Sequence, residues 1–159
     1  MKFSIVQATE LRCIFVRSAG KLHPPHMRLM IESISKLDFY QDRVPILHDM
    51  RQVEFDVPMN VVRQVAGTQP TQPKHTQLAL VADSELGYGM LRALAMFREN
   101  EQRVARAFHS IDEAMEWLEL PEAGTAIPAR IEELLSEGLG ESDDFERFGL
   151  VSRRAVHGC

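Results

Sequence analysis

The chain contains few cysteines and no long apolar run. Its two cysteines, Cys13 and Cys159, belong neither to a CxxC pair nor to the spacing of a zinc site. We therefore expect reduced thiols and a cytoplasmic location, because disulfide frameworks are typical of secreted proteins. No stretch approaches the roughly 18 apolar residues of a membrane span, so no transmembrane segment is predicted. The N-terminal sequence MKFSIVQATE also lacks the apolar core of a signal peptide.

Positive charge and catalytic signatures are scarce as well. Lysine and arginine number 18 against 23 acidic residues, a net charge of −5. A general nucleic-acid binder needs a basic face to neutralise phosphates, so no nucleic-acid partner is predicted. Gly87 and Gly89 do not match the GxGxxG pattern, and they lie inside a predicted helix rather than before one. No nucleophile elbow occurs. We expect a protein that is not an enzyme and that needs no cofactor.

A metal site is not predicted either. His23 and His26 are three residues apart in the stretch HPPH, and a third ligand could come from His48, His75 or Asp49. No HExxH motif or other fixed ligand spacing accompanies them, and the two prolines sit where a helix is only starting. Solvated or capping histidines are the favoured interpretation.

Five stretches have the apolar alternation or apolar runs of β-strands. The first two are separated by ATE and predict a hairpin. The fifth is the most polar, which favours a position at the edge of a sheet. The predicted strands cover residues 2–7, 11–19, 43–50, 75–82 and 102–108.

Helical periodicity fills the gaps between these strands. Met27, Met30, Ile31 and Ile34 recur at spacings of three and four, and a second helix is expected over residues 58–66. The stretches 84–99 and 110–120 follow, and the last begins with a capping box. A loop, GTQPTQPK, is predicted over residues 67–74, between helix 58–66 and the fourth strand. The fold class is therefore α/β, in the order β-β-α-β-α-β-α-β-α, with a five-stranded, mostly parallel (mixed) sheet and crossover helices.

The composition changes after Pro121. We assign residues 1–120 to one domain and residues 121–159 to an acidic C-terminal appendage that is either partly helical or disordered. A helix over residues 131–139 would have an apolar face, and such a short helix needs a surface to cover it. This predicts a protein partner or self-association as a homodimer.

Three stretches in this order resemble the STAS superfamily, and in particular its SpoIIAA-like branch, which is related to Sec14-type lipid-binding domains. They are LHDMRQVEFDVP (47–58), VADSELGYGMLRALAMF (81–97) and RAFHSIDEAMEWL (106–118). The resemblance covers about residues 2–119. It implies the fold of bacterial anti-sigma-factor antagonists.

In those antagonists, the junction after the third strand has an aspartate followed by small hydroxyl residues, one of which is a phosphorylated serine. The corresponding residues here are Asp56, Val57 and Pro58, and neither of the last two can accept phosphate. The resemblance therefore supports the fold and argues against this phosphorylation switch.

The relationship to Sec14-type domains implies a second role, in which an apolar ligand lies between the sheet and the helices. The candidate lining residues are Met59, Val62, Tyr88, Met90 and Leu91. Methionine suits an adaptable pocket. The same residues at helical spacing also fit ordinary core packing, which is the favoured interpretation.

The predicted junction loop contains Asp49, Arg51 and Asp56, and such acids beside an arginine are either ion pairs or, less often, catalytic groups. The function predicted overall is a non-enzymatic regulatory or protein-interaction module of STAS-like type without the phosphoacceptor serine. The alternative is a carrier or sensor of a small apolar, lipid-like molecule, with its pocket beneath helix 58–66.

Overall fold

The computed structural model describes residues 1–67, 76–98, 103–120 and 127–139. Apart from Gly67, the loop predicted for residues 67–74 lies outside the described residues. The parts 121–126 and 140–159 of the predicted appendage also lie outside them. Among the described helices, none is both long enough and apolar enough to cross a membrane.

The predicted α/β fold is confirmed at the level of a five-stranded mixed sheet with helices. The strand order is β1-β2-β3-β4-β5; β1 runs antiparallel to β2, and every other neighbouring pair is parallel. The opening hairpin and the edge position of the last strand are as predicted. The strands are β1 (Lys2–Ala8), β2 (Cys13–Lys21), β3 (Ile46–Glu54), β4 (Thr76–Val81) and β5 (Arg103–Phe108).

Six helices occur among the described residues, two more than the predicted element order contains. The second of them has only four residues, too few to produce a helical period in the sequence. The sixth lies in the predicted appendage. The helices are α1 (Pro24–Ser35), α2 (Asp38–Gln41), α3 (Met59–Gly67), α4 (Glu85–Arg98), α5 (Ile111–Trp117) and α6 (Ala129–Gly138).

The helices cover the two faces of the sheet unequally. The parallel strands are adjacent in chain order, and right-handed crossovers therefore bring α1, α3 and α4 to the same face. Together with α2 they enclose one apolar core. The helices α5 and α6 pack on the opposite face and enclose a second core, so the sheet is buried on both sides.

Strand β3 is longer than predicted, and its second half corrects the predicted junction loop. The pairing with β2 shifts after Arg17, where two residues of β3 stand opposite one of β2. This irregularity moves the side-chain alternation by one residue, so that Met50 and then Val53 both face the helices α1–α4. Because the period of two breaks here, the stretch resembles a loop in the sequence although it is strand.

The apolar face of α6 is covered by its own chain. Ile131, Leu134 and Leu135 are buried in the second core, with α6 packed on β1 and β2. The end of the helix lies so close to β1 that a Cβ atom on Gly138 would lie 2.4 Å from Ser4 Oγ. A homodimer is therefore not needed to shield this face, and the reason for predicting one does not hold.

The two glycines of α4 predict opposite effects of alanine. A Cβ atom at position 87 would lie 2.8 Å from Ser84 Oγ and 3.0 Å from Ala82 Cβ, whereas one at position 89 would meet no atom within 4 Å. We expect Gly87→Ala to lower the free energy of unfolding by about 1–3 kcal/mol through overpacking. Gly89→Ala should raise it by about 0.5–1 kcal/mol, since glycine disfavours a helix. Urea unfolding of both variants checks this pair, and equal effects would contradict the close approach at Gly87.

Candidate functional site

An ion pair lies under α6, on neighbouring positions of β2 and β3. Arg17 and Asp49 are register partners in the parallel ladder, and Arg17 Nε donates a hydrogen bond of 2.9 Å to Asp49 Oδ2. Both side chains are almost fully buried, at 5% and 3% exposure. Charges buried to this extent need partners, because leaving water costs several kcal/mol for each ion.

Two further charged residues belong to this network, whose four charged members we term the Arg17 cluster (Arg17, Asp49, Arg51 and Glu132). Arg51 donates from its backbone N–H and its guanidinium to Asp49. Glu132 of α6 accepts two hydrogen bonds from Arg17, of 2.7 and 2.8 Å. The bidentate contact joins α6 to the centre of the sheet, 115 residues away along the chain.

The charges of the Arg17 cluster keep its carboxylates ionised. Burial opposes the ionisation of Asp49, but the hydrogen bonds from Arg51 and the nearby guanidinium charges outweigh it and hold its pKa below the ordinary value. The hydrogen bond from Arg17 lowers the pKa of Glu132, and the same bond raises the pKa of Arg17. The cluster is therefore a set of fixed, paired charges.

The predicted junction residues do not form one loop. Asp49 and Arg51 lie within β3, and only Asp56 lies in the segment between β3 and α3, where it is exposed. Both carboxylate oxygens of Asp49 are engaged by guanidinium groups. A general base needs a free lone pair and access to substrate, so Asp49 is placed as an ion-pair partner.

A second polar pair lies on the opposite face of the sheet. Ser18 Oγ is 2.8 Å from His48 Nε2, and both residues are almost fully buried. Burial lowers the pKa of His48 to about 3, and the charge of Arg98 at the end of α4 acts in the same direction. The imidazole is therefore neutral at neutral pH.

The Ser18–His48 pair has the residue types of a nucleophile and its base but not their surroundings. Ser18 has 0% exposure and His48 has 3%. The thioether of Met30 from α1 covers the serine, with the Ser18 Oγ donating at 3.7 Å. A substrate cannot reach this hydroxyl without displacing α1, and the arrangement serves as a satisfied polar pair in the core.

Asp56, Val57 and Pro58 lie between β3 and the start of α3. The helix begins at Met59, directly after Val57 and Pro58. These two side chains carry no hydroxyl, and Asp56 precedes them.

The predicted ligand pocket between α3, α4 and the sheet is filled by side chains. The cavity there has a volume of about 10 Å³, whereas small-molecule pockets usually measure roughly 300–1,000 Å³. Val62, Met90 and Leu91 line it together with other core residues. Met59 is 44% exposed. Tyr88 lies elsewhere and stacks on His109, with 3.8 Å between ring centroids.

The histidines weighed as metal ligands lie at the start of α1. The rings of His23 and His26 are in edge contact, with centroids 4.5 Å apart. Within residues 1–67, 76–98, 103–120 and 127–139, no group of three or more histidine, cysteine, aspartate or glutamate side chains is arranged to hold a metal ion.

A surface groove runs between α4 and the edge strand β5. Its volume is about 440 Å³. Three of its lining residues are alanines, and their small side chains leave the space open. We term it the α4–β5 groove, lined by Tyr88, Arg92, Ala95, Met96, Ala105, Arg106 and Ala107.

The sequence contained partial signals for these features. Arg17 lies in an otherwise apolar stretch of β2, and a charged side chain that is buried in such a strand needs a partner of opposite charge. The partner Glu132 could not be identified, because its helix lies in a part of the chain with weak patterning. For the groove, the polar character of the fifth strand indicates an edge strand without indicating which helix lies beside it.

Comparisons of the chain with protein-family models, with curated proteins and with solved structures found no match.

Proposed function

We propose that the protein is a non-enzymatic interaction module of STAS-like type that binds a protein partner through the surface of α4 and β5. The exposure of large apolar side chains carries this proposal. Six such residues are exposed in the described part of the chain, and four of them belong to these two elements. They are Leu86, Met96, Phe97 and Val104.

The exposure of these side chains is high for their type. Met96 is 70% and Leu86 62% exposed on α4, and Val104 is 46% exposed on β5. They are not one continuous patch: Phe97 contacts Arg63 of α3, and Val104 lies on the face of β5 away from α4, since Ala105 and Ala107 face α4. Their concentration on two adjacent elements favours binding in this part of the surface. Burying each one against a partner would remove apolar area from water and favour association.

The polar groups of the interior support a role without catalysis. Arg17 and Asp49 are buried and fully paired beneath α6, and the Ser18–His48 pair is covered by Met30 of α1, so neither pair is accessible to a substrate. The filled space beneath α3 favours the interaction module over the alternative of an apolar-ligand carrier. The absence of a hydroxyl at Val57 and Pro58 implies that binding is not controlled by phosphate at that junction.

The proposal is tested by changing one exposed side chain on this surface. We expect Met96→Asp to lose the partner that the wild-type protein retains in native mass spectrometry after gentle purification, because a carboxylate would have to be desolvated in the interface. The fold should persist, since surface substitutions usually change stability by within about 0.5 kcal/mol.

Leu29→Asp is the matched control, because Leu29 is an exposed apolar residue of α1, away from this surface. It should keep the partner. A partner lost equally from both variants would contradict binding through α4 and β5. A bound species of a few hundred daltons that disappears on denaturation, with no protein partner, would support the carrier instead.

A further inference from the structure

The α4–β5 groove has an open volume and is lined by both apolar and charged residues. Tyr88 and Met96 provide apolar walls, and Ala105 and Ala107 of β5 face α4 with side chains too small to fill the space. The groove has an open volume of about 440 Å³. A strand of six residues such as β5 is roughly 20 Å long, which is the length over which a ligand could follow it.

Two arginines give the edge beside β5 a positive charge on both of its faces, in a chain of net charge −5. Arg92 lies on the α4 side; Ala105 and Ala107 face α4, so the side chain of Arg106 projects from the opposite face of the sheet. The guanidinium of Arg92 lies over the ring of Tyr88, with 6.0 Å to the centroid, and that of Arg106 lies over Phe108 at 5.7 Å. Neither arginine forms an ion pair with a carboxylate of the residues that the structure describes. Both therefore have hydrogen-bond donors available for an anionic partner.

The edge of β5 offers backbone groups in addition. Among the described strands, β5 pairs with β4 alone. The carbonyl of Phe108 accepts a hydrogen bond from the N–H of Ala82, so the backbone of Phe108 points towards β4. Backbone direction alternates along a strand, and the N–H and C=O groups of Ala105 and Ala107 therefore point to the open side.

We propose that the α4–β5 groove binds an extended, acidic segment of a partner protein, which adds to β5 as a further strand. Its backbone pairs with Ala105 and Ala107. The side chains of an added strand alternate between the two faces of the sheet, so its carboxylates pair with Arg92 on the α4 side and with Arg106 on the opposite side, and its apolar side chains contact Met96. Strand addition supplies affinity through the backbone, and the flanking side chains supply selectivity. This inference rests on the proposed binding surface and specifies the chemistry of its partner.

A peptide fits these features better than a nucleic acid does. A phosphate backbone could pair with the arginines, but it lacks the alternating donors and acceptors that match a strand edge. Two cations on a protein of net charge −5 also provide little of the phosphate neutralisation on which nucleic-acid binding depends.

The test uses fluorescence anisotropy with the full-length chain and a labelled decapeptide in which pairs of glutamates alternate with pairs of valines, so that both faces of the added strand carry both residue types. We expect saturable binding that weakens as salt is added, because the charges are exposed. The double variant Arg92→Glu/Arg106→Glu should bind at least roughly tenfold more weakly, since two attractions become repulsions. The control Arg28→Glu/Lys36→Glu makes the same change of charge at two exposed positions, one in α1 and one directly after it, and should bind as the wild type does.

A second variant tests the backbone contact separately from the charge. Ala105→Pro removes an N–H that points to the open side, and proline is tolerated in edge strands. It should weaken peptide binding while the circular dichroism spectrum and the thermal unfolding of the protein stay close to those of the wild type. Peptide binding by Ala105→Pro at wild-type strength would overturn strand addition.

Other results would overturn the inference in different ways. Equal binding by the two double-charge variants would exclude the arginines, and a preference for labelled oligothymidine over the peptide would identify a nucleic-acid site. A dimer that forms without peptide and is lost in Arg92→Glu/Arg106→Glu would assign the groove to a second copy of the chain. A protein partner that depends on Met96 but not on Arg92 and Arg106 would leave the proposed function intact and overturn this inference alone.

Discussion

Replacing Asp49 by alanine should lower the free energy of unfolding by about 3 kcal/mol or more. The substitution removes the carboxylate that accepts from the buried Nε of Arg17 and from the backbone N–H of Arg51. Glu132 would remain as the partner of the other guanidinium nitrogens. The loss arises mainly from the buried Nε–H of Arg17, which is left without an acceptor, and this is costlier than the net value of the ion pair itself.

Urea unfolding at neutral pH measures this effect, with the midpoint and the slope fitted separately. The double variant Arg17→Met/Asp49→Leu is the matched comparison, because it replaces the charges by apolar side chains of similar size. We expect it to be more stable than Asp49→Ala, since no buried charge is left unpaired. A single variant that lost less than about 1 kcal/mol would show that Asp49 is not buried among charges as the structure describes.

The protein should lose stability on mild acidification because of His48. Burial lowers the pKa of His48 from 6.5 to about 3, so the unfolded chain binds a proton between these values that the folded protein does not. The free energy of unfolding therefore falls as the pH drops below 6.5, by up to about 1.4 kcal/mol per pH unit. The carboxylates of Asp49 and Glu132, whose pKa values are also lowered, add their losses only below about pH 4.5.

The measurement is a series of urea unfolding curves between about pH 7 and pH 4.5, the range in which the histidines titrate in the unfolded chain. His48→Gln offers Ser18 an amide that does not titrate, and its stability should depend on pH less steeply, by close to one proton. His26→Gln is the control, because burial also lowers the pKa of His26. If the dependence of stability on pH stayed unchanged in His48→Gln and became weaker in His26→Gln, the acid sensitivity would come from His26 and this prediction would be wrong.

The strand and helix order could be read from the chain because each element leaves a local pattern. Apolar alternation identified the strands, and the spacing of Met27, Met30 and Ile34 identified α1. The side chain of Ser110 caps α5 by accepting from the N–H of Glu113, which is the capping box that the sequence showed. These patterns involve residues close together in the chain, so they can be recognised from the sequence without the tertiary fold.

The predictions failed where the local pattern breaks. In β3, the irregular pairing with β2 shifts the alternation between Met50 and Val53, and the strand was mistaken for a loop. The sequence predicts the apolar face of α6 and a second molecule to bury it, whereas the helix packs on β1 and β2 of its own chain. A period in the sequence shows that a face must be buried and does not show which surface buries it.

For the site residues as well, some features follow from the local sequence and others depend on the tertiary structure. Local chemistry alone excludes a phosphoacceptor at Val57 and Pro58, and the polar fifth strand already indicates a sheet edge. The pairing of Arg17 with Glu132, the neutral state of His48 and the closure of the space beneath α3 depend on the packed fold. The α4–β5 groove depends on it too. Hydrogen bonds, desolvation and free volume arise between residues far apart in the chain, and only strand register and helix packing bring those residues together.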